Sequence, residues 1–129
     1  MLETPIKREV ENVFIPVGDI ARARDWYRDV LGLPVGEILA GHLCCIPMER
    51  GAGLLLDQKL TPNDVGASVK RGDYPLFMLA TDDVEASLAF MRARGVEVIE
   101  YGGRAIQNGH WFAFRDCEGN MLMVCGPAS

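Results

Sequence analysis

Hydrophobic positions along this chain change period several times, and each change marks an element. "ENVFIPV" (11–17) is a short run of β-branched and aromatic residues, which predicts a strand. In "GDIARARDWYRDVLG" (18–32), Ile20, Ala23, Tyr27, Val30 and Leu31 recur at helical spacing. Asp19 suits an N-cap, because its carboxylate can accept from the unpaired amides of the first turn, and Gly32 and Pro34 stop the helix. Apolar runs at about 35–40, 42–48 and 53–58, separated by Gly41 and the "ERGAG" turn, predict three strands with tight connections.

Residues 59–74, "KLTPNDVGASVKRGDY", are polar and rich in turn formers, and they predict a linker. The pattern then restarts. "PLFMLAT" (75–81) predicts a strand, and "DDVEASLAFMRARG" (82–95) a helix with Val84, Ser87, Leu88 and Met91 on one stripe. Strands are predicted at about 96–101, 105–115 and 121–125. Asp19 aligns with Asp83, Ile20 with Val84 and Trp26 with Phe90, all at an offset of 64. A repeat of this kind constrains architecture before any fold is assigned. The predicted unit is βαβββ, used twice: an α+β domain over 1–129, with module one at about 11–58 and module two at about 75–126.

Composition narrows the partners. The chain is 49% hydrophobic and 24% charged over 129 residues, which suits one globular domain with a core of its own. Net charge is −5 and no Lys/Arg cluster exceeds two residues, so nucleic acid is excluded as a partner. "MLETPIKREVEN" has no apolar h-region, and no apolar run approaches 18 residues, so neither a signal peptide nor a membrane span is expected. Cys44, Cys45, Cys117 and Cys125 lack zinc-like spacing, and adjacent Cys44 and Cys45 would point to opposite faces of a strand. Reduced cysteines used as small apolar side chains in a cytoplasmic protein are the expectation.

Three stretches carry a family resemblance: "VFIPVGDIARARDWYRDVLGLPV", "DDVEASLAFMRARGVEV" and "HWFAFRDCEGNMLMV". The chain resembles the vicinal oxygen chelate superfamily, which includes glyoxalase I, the bleomycin resistance proteins and the extradiol dioxygenases. The last stretch resembles the family ending "wfaFrDPdGNxxEl", with Cys117 where proline is usual, and the likeness runs over about residues 11–126. It implies two βαβββ modules whose sheets curl into a half-open cup. In metal-using members a divalent ion sits in that cup, held by His, Gln or Glu.

Carried onto this chain, the first ligand position falls on Asn12, its counterpart in module two on Leu76, and the closing Glu on Met123. The fourth falls near Leu56 or Asp57. Leucine offers no donor, and a thioether is a soft ligand unsuited to the hard or borderline ions this family uses, so no metal cofactor is expected. The two histidines do not rebuild a site: His42 follows Gly41 in a tight turn and is expected in solvent, and His110 is expected on a strand with Phe112 and Phe114.

Strand alternation then lines the cup. If Asn12 faces it, so do Phe14 and Pro16; Leu76 brings Met78 and Ala80; Met123 brings Met121 and Cys125. Trp111 and Tyr101 are candidate stacking walls, and Asn12 with Asp57 the polar anchors. Such a face suits a pocket for varied apolar or aromatic molecules, and the same composition suits a second packed core. Asp116 and Glu118 read as residues of the "RDCEGN" turn and not as an acid–base pair, with Gly119 or Asn120 at positive φ.

Three functions follow from these readings. A metal-free protein that binds a small apolar or aromatic molecule makes no chemical demand the sequence fails to meet. A lyase, isomerase or dioxygenase would need the metal as Lewis acid, and no Ser–His–Asp or Cys–His arrangement replaces it. A structural module would use the cup only for dimerisation. A homodimer is expected in any case, with Trp26 and the apolar cup faces as surface to be hidden.

Overall fold

The structure, a computed structural model, describes residues 3–59 and 69–127. Residues 60–68 of the expected linker lie outside the described residues. The order is β1 (Asn12–Pro16), α1 (Ile20–Asp29), β2 (Ile38–Leu39), β3 (Leu43–Ile46), β4 (Gly53–Asp57), β5 (Met78–Ala80), α2 (Val84–Ala93), β6 (Glu97–Ile99), β7 (Trp111–Arg115) and β8 (Met121–Cys125). Two four-stranded mixed sheets result, ordered β1-β4-β3-β2 and β5-β8-β7-β6. In each, the first strand runs parallel to the last and the other pairs are antiparallel. The sheets do not close, and the molecule is an α+β cup of two like modules.

The repeat is visible in detail. Asp19 and Asp83 both cap their helices by accepting from the amide three residues on, at 3.0 Å from Arg22 N and 3.0 Å from Ala86 N. The helices keep the offset of 64 at both ends. Ile15, Val17, Leu54, Leu56, Cys44 and Ile46 of the first sheet and Phe112, Phe114, Leu122 and Val124 of the second meet Ile20, Ala23, Tyr27, Val84 and Met91 of the helices in one buried core. Trp26 packs edge-on against Tyr27, with ring centroids 5.2 Å apart, and is half-buried against the core.

Two expected strands are cut short by left-handed backbone. The run 105–115 becomes a strand only from Trp111, because Asn108 (φ 52°) and Gly109 (φ 73°) turn the chain and Gln107 N donates back to Trp111 O at 2.8 Å. His110 therefore lies in an exposed turn and not on a strand beside Phe112. Ala40 (φ 51°) and Gly41 (φ 75°) limit β2 in the same way.

The "RDCEGN" turn does more than reverse the chain. Asp116 Oδ1 accepts from the amides of Glu118 (2.8 Å) and Asn120 (2.9 Å), and Gly119 carries the positive φ of 82°. Asp116 Oδ2 accepts from Tyr27 OH of α1 (2.5 Å) and from Asn120 Nδ2 (3.1 Å), whose other bond goes to Pro16 O (2.9 Å). Burial first, then the nearby Asp116 carboxylate, pushes the Tyr27 phenol well above its ordinary pKa, so it stays a donor. Glu118 reaches the start of α1, accepting from Gly18 N (2.8 Å), Asp19 N (3.2 Å) and Arg22 Nη2 (3.1 Å), and it pairs with Arg71 Nη2 at 3.2 Å. The turn of module two thus fastens module one.

This latch implies a pH dependence. Burial raises the Glu118 carboxyl, but the donors from Gly18, Arg22, Asp19 and Arg71 outweigh it and hold its pKa below the ordinary carboxylate value. A carboxyl depressed in the folded state stabilises above its unfolded pKa of about 4.3 and loses that contribution as pH falls further. Urea midpoints are expected to drop as pH is lowered through that range, and to drop less steeply in Glu118→Gln. Equal slopes in the two proteins would remove Glu118 from the account.

Candidate functional site

Strand register gives the cup face row by row. In module two, Leu76 lies beside Met121, its backbone N–H donating to Met121 O, and Met121 faces Arg115, which faces Glu97. The next row is Met78, Met123, Ala113 and Ile99, and the third is Ala80, Cys125 and Trp111. In module one the rows are Asn12 with Gly53, then Phe14, Leu55 and Cys45, then Pro16, Asp57 and Leu43. Parity therefore puts Asn12, Phe14, Leu76, Met78, Met121, Met123, Trp111 and Asp57 on cup faces, with the core residues alternating behind them.

The face is only partly covered by the chain itself. Phe14 is 53% exposed, Leu76 45% and Met78 58%, whereas Met121 and Ala113 are buried. Tyr101 meets Trp111 edge to face, with centroids 6.0 Å apart, so the two candidate walls form one aromatic corner. A second packed core would bury Phe14, Leu76 and Met78 together, and this structure does not.

The register also revises the ligand positions. Phe14 pairs with Leu55 as Met78 pairs with Met123, so the module-one counterpart of Met123 is Leu55, not Leu56 or Asp57. The four equivalent positions are thus Asn12, Leu55, Leu76 and Met123. One amide, two alkyl chains and a thioether do not fit a divalent ion. Among the described residues, no three His, Cys, Asp or Glu side chains are grouped as ligands. Asp57 is buried at the end of β4, where its Oδ1 accepts from Lys59 N at 2.9 Å and lies 3.4 Å from His42 Nδ1. His42 is accordingly half-buried beside a carboxylate instead of solvated, which turn chemistry alone did not reveal.

Other reactive groups are held inert or engaged. Burial and the neighbouring Asp116 push the Cys117 thiol up to about 12, and burial raises Cys44, so neither supplies a thiolate near neutrality. Arg115, a cup-face cation to which the sequence reading gave no role, donates from Nη1 to Gly72 O (2.9 Å) and Gly119 O (3.0 Å) and from Nη2 to Asp73 Oδ1 (2.7 Å). Strand parity with Met121 was the signal for it.

A further concavity lies elsewhere. A cleft of about 1000 Å³ opens between the modules, with Leu31, Leu33, Met48 and Leu54 on one side and Phe77 and Phe90 on the other. Of the expected site residues it takes in only Met78. It is open to solvent and walled by residues at the edge of the core, and the cup faces present the more exposed apolar side chains. The cup therefore remains the stronger candidate.

With this geometry in hand, known proteins add the following. No curated protein matches the chain. Among solved structures, TnmS3, an antibiotic binding protein from Streptomyces sp. CB03234, is 27% identical, covering 98% of this chain and 100% of its own with a TM-score of 0.70. A glyoxalase/bleomycin resistance protein from the same organism is 25% identical, covering 91% and 99%, with a TM-score of 0.62. Lactoylglutathione lyase from Agrobacterium tumefaciens, 23% identical over 95% and 96% with a TM-score of 0.68, shares the fold. The family model for the Glyoxalase/Bleomycin resistance protein/Dioxygenase superfamily matches residues 10–124, and the chain belongs to that superfamily.

Proposed function

We propose that this protein binds a small apolar or aromatic molecule in the cup and uses no resident metal to do so. The observation that carries the reading is the set Asn12, Leu55, Leu76 and Met123 at the ligand positions, set among exposed Phe14 and Met78. Methionine side chains are flexible and polarizable and adapt to varied flat ligands. Asn12 is the neutral hydrogen-bonding group on this face. The antibiotic-binding description of TnmS3 supports a binding role for its relative. Phe14, Leu39, Leu76 and Met78 are exposed apolar side chains at cup-face positions, which supports a homodimer. Four free cysteines support a cytoplasmic setting.

Native mass spectrometry of the purified protein tests the reading in one measurement. The expected spectrum shows a dimer, no metal adduct, and an organic adduct or a shift on adding an aromatic probe. One zinc, nickel, manganese or iron per chain would overturn the metal-free assignment, and a monomer at micromolar concentration would overturn the dimer.

A further inference from the structure

The inference below rests on the reading of the cup as a ligand site and concerns what kind of molecule it selects. Arg115 stands on the cup face between Met121 and Glu97 in the ladder, two residues from Ala113 and four from Trp111 on the same side of β7. At about 3.3 Å per residue, its backbone lies about 13 Å from that of the Tyr101–Trp111 corner, the length of a fused aromatic system with a substituent.

The guanidinium has five N–H donors, of which Nη1 gives two to the carbonyls of Gly72 and Gly119. Those bonds fix the fork but leave its charge uncompensated. The one carboxylate paired with it is Asp73, at 2.7 Å, whose side chain is 97% exposed while that of Arg115 is 21% exposed. Among the described residues, Nε–H and one Nη2 hydrogen have no acceptor. Glu97 lies across the ladder but forms no ion pair with Arg115 among the described residues. A pair with one partner so exposed contributes little to stability, and an incoming carboxylate with an apolar body can displace it.

We propose that Arg115 is the anion anchor of the cup: it takes the carboxylate of an aromatic acid in a forked pair, and Asp73 holds that place until the ligand arrives. The acid's rings then lie over Met123 toward Trp111. Arginine suits this role because its planar fork matches a carboxylate with two bonds.

The probes are anthracene carboxylic acid and its primary amide, titrated calorimetrically at low salt. Wild type is expected to prefer the acid. Asp73→Asn, which removes the internal competitor, is expected to tighten the acid by about 3- to 10-fold with no matching gain for the amide. Arg115→Gln is expected to erase the acid-to-amide ratio, and Arg115→Lys to keep part of it. A merely structural Arg115 would weaken both probes alike and leave the ratio unchanged. If wild type binds acid and amide equally and Asp73→Asn does not move the ratio, the anchor is wrong and the cup reading stands. If neither probe binds, the cup reading falls and the anchor with it.

Discussion

Asp116→Ala is expected to lower stability by about 3–5 kcal/mol, the range for removing one partner from a buried polar cluster. The carboxylate is buried and accepts four hydrogen bonds, two from backbone amides of its own turn and two from Tyr27 OH and Asn120 Nδ2. Alanine leaves all four donors inside the protein with nothing to accept them. Tyr27→Phe deletes one donor and fills the same space, so about 1 kcal/mol is expected there. Asp116→Asn keeps an acceptor for the two amides but turns an NH₂ toward Tyr27 and Asn120, and falls between. Urea unfolding at fixed protein concentration measures the series, and an unchanged m-value would attribute it to the folded state. If Asp116→Ala cost no more than Tyr27→Phe, the turn would not be the latch between modules.

That latch marks the limit of what the sequence made legible. Periodicity and caps located both helices and nearly every strand, because these depend on neighbours three or four residues away, and Asp19 and Asp83 announce the repeat directly. Strand parity grouped Asn12 with Phe14, Leu76 with Met78 and Met121 with Met123, since alternation is a property of the backbone alone, whereas it did not place Trp111 or Asp57. The reach of Glu118 to Gly18, about a hundred positions away, follows from how the modules dock and has no local signature. The His42–Asp57 contact and the pairing of Leu55 with Phe14 likewise depend on long-range register. Local pattern also overran where left-handed residues cut a strand: Asn108 and Gly109 removed His110 from β7, although its neighbours read as a strand. The cleft between the modules is a product of docking in the same sense, and no stretch of sequence encodes it by itself.

Filling the cup should separate binding from stability. Leu76→Trp and Met78→Trp place a large ring where the wild-type side chains are 45% and 58% exposed, so each is expected to change stability by no more than about 0.5 kcal/mol, as for other surface substitutions. In a packed core the same overpacking would cost about 1–3 kcal/mol. Binding of an aromatic probe should nonetheless be abolished by both, because the rings project into the space the probe needs. The pair also distinguishes the two concavities: Met78 borders both the cup face and the cleft between modules, whereas Leu76 borders only the cup. Loss of binding in Met78→Trp alone, with Phe90→Ala weakening it as well, would move the ligand to the cleft. Loss in both, with Phe90→Ala neutral, assigns it to the cup, and thermal melts showing both variants several degrees below wild type would restore the packed-core reading.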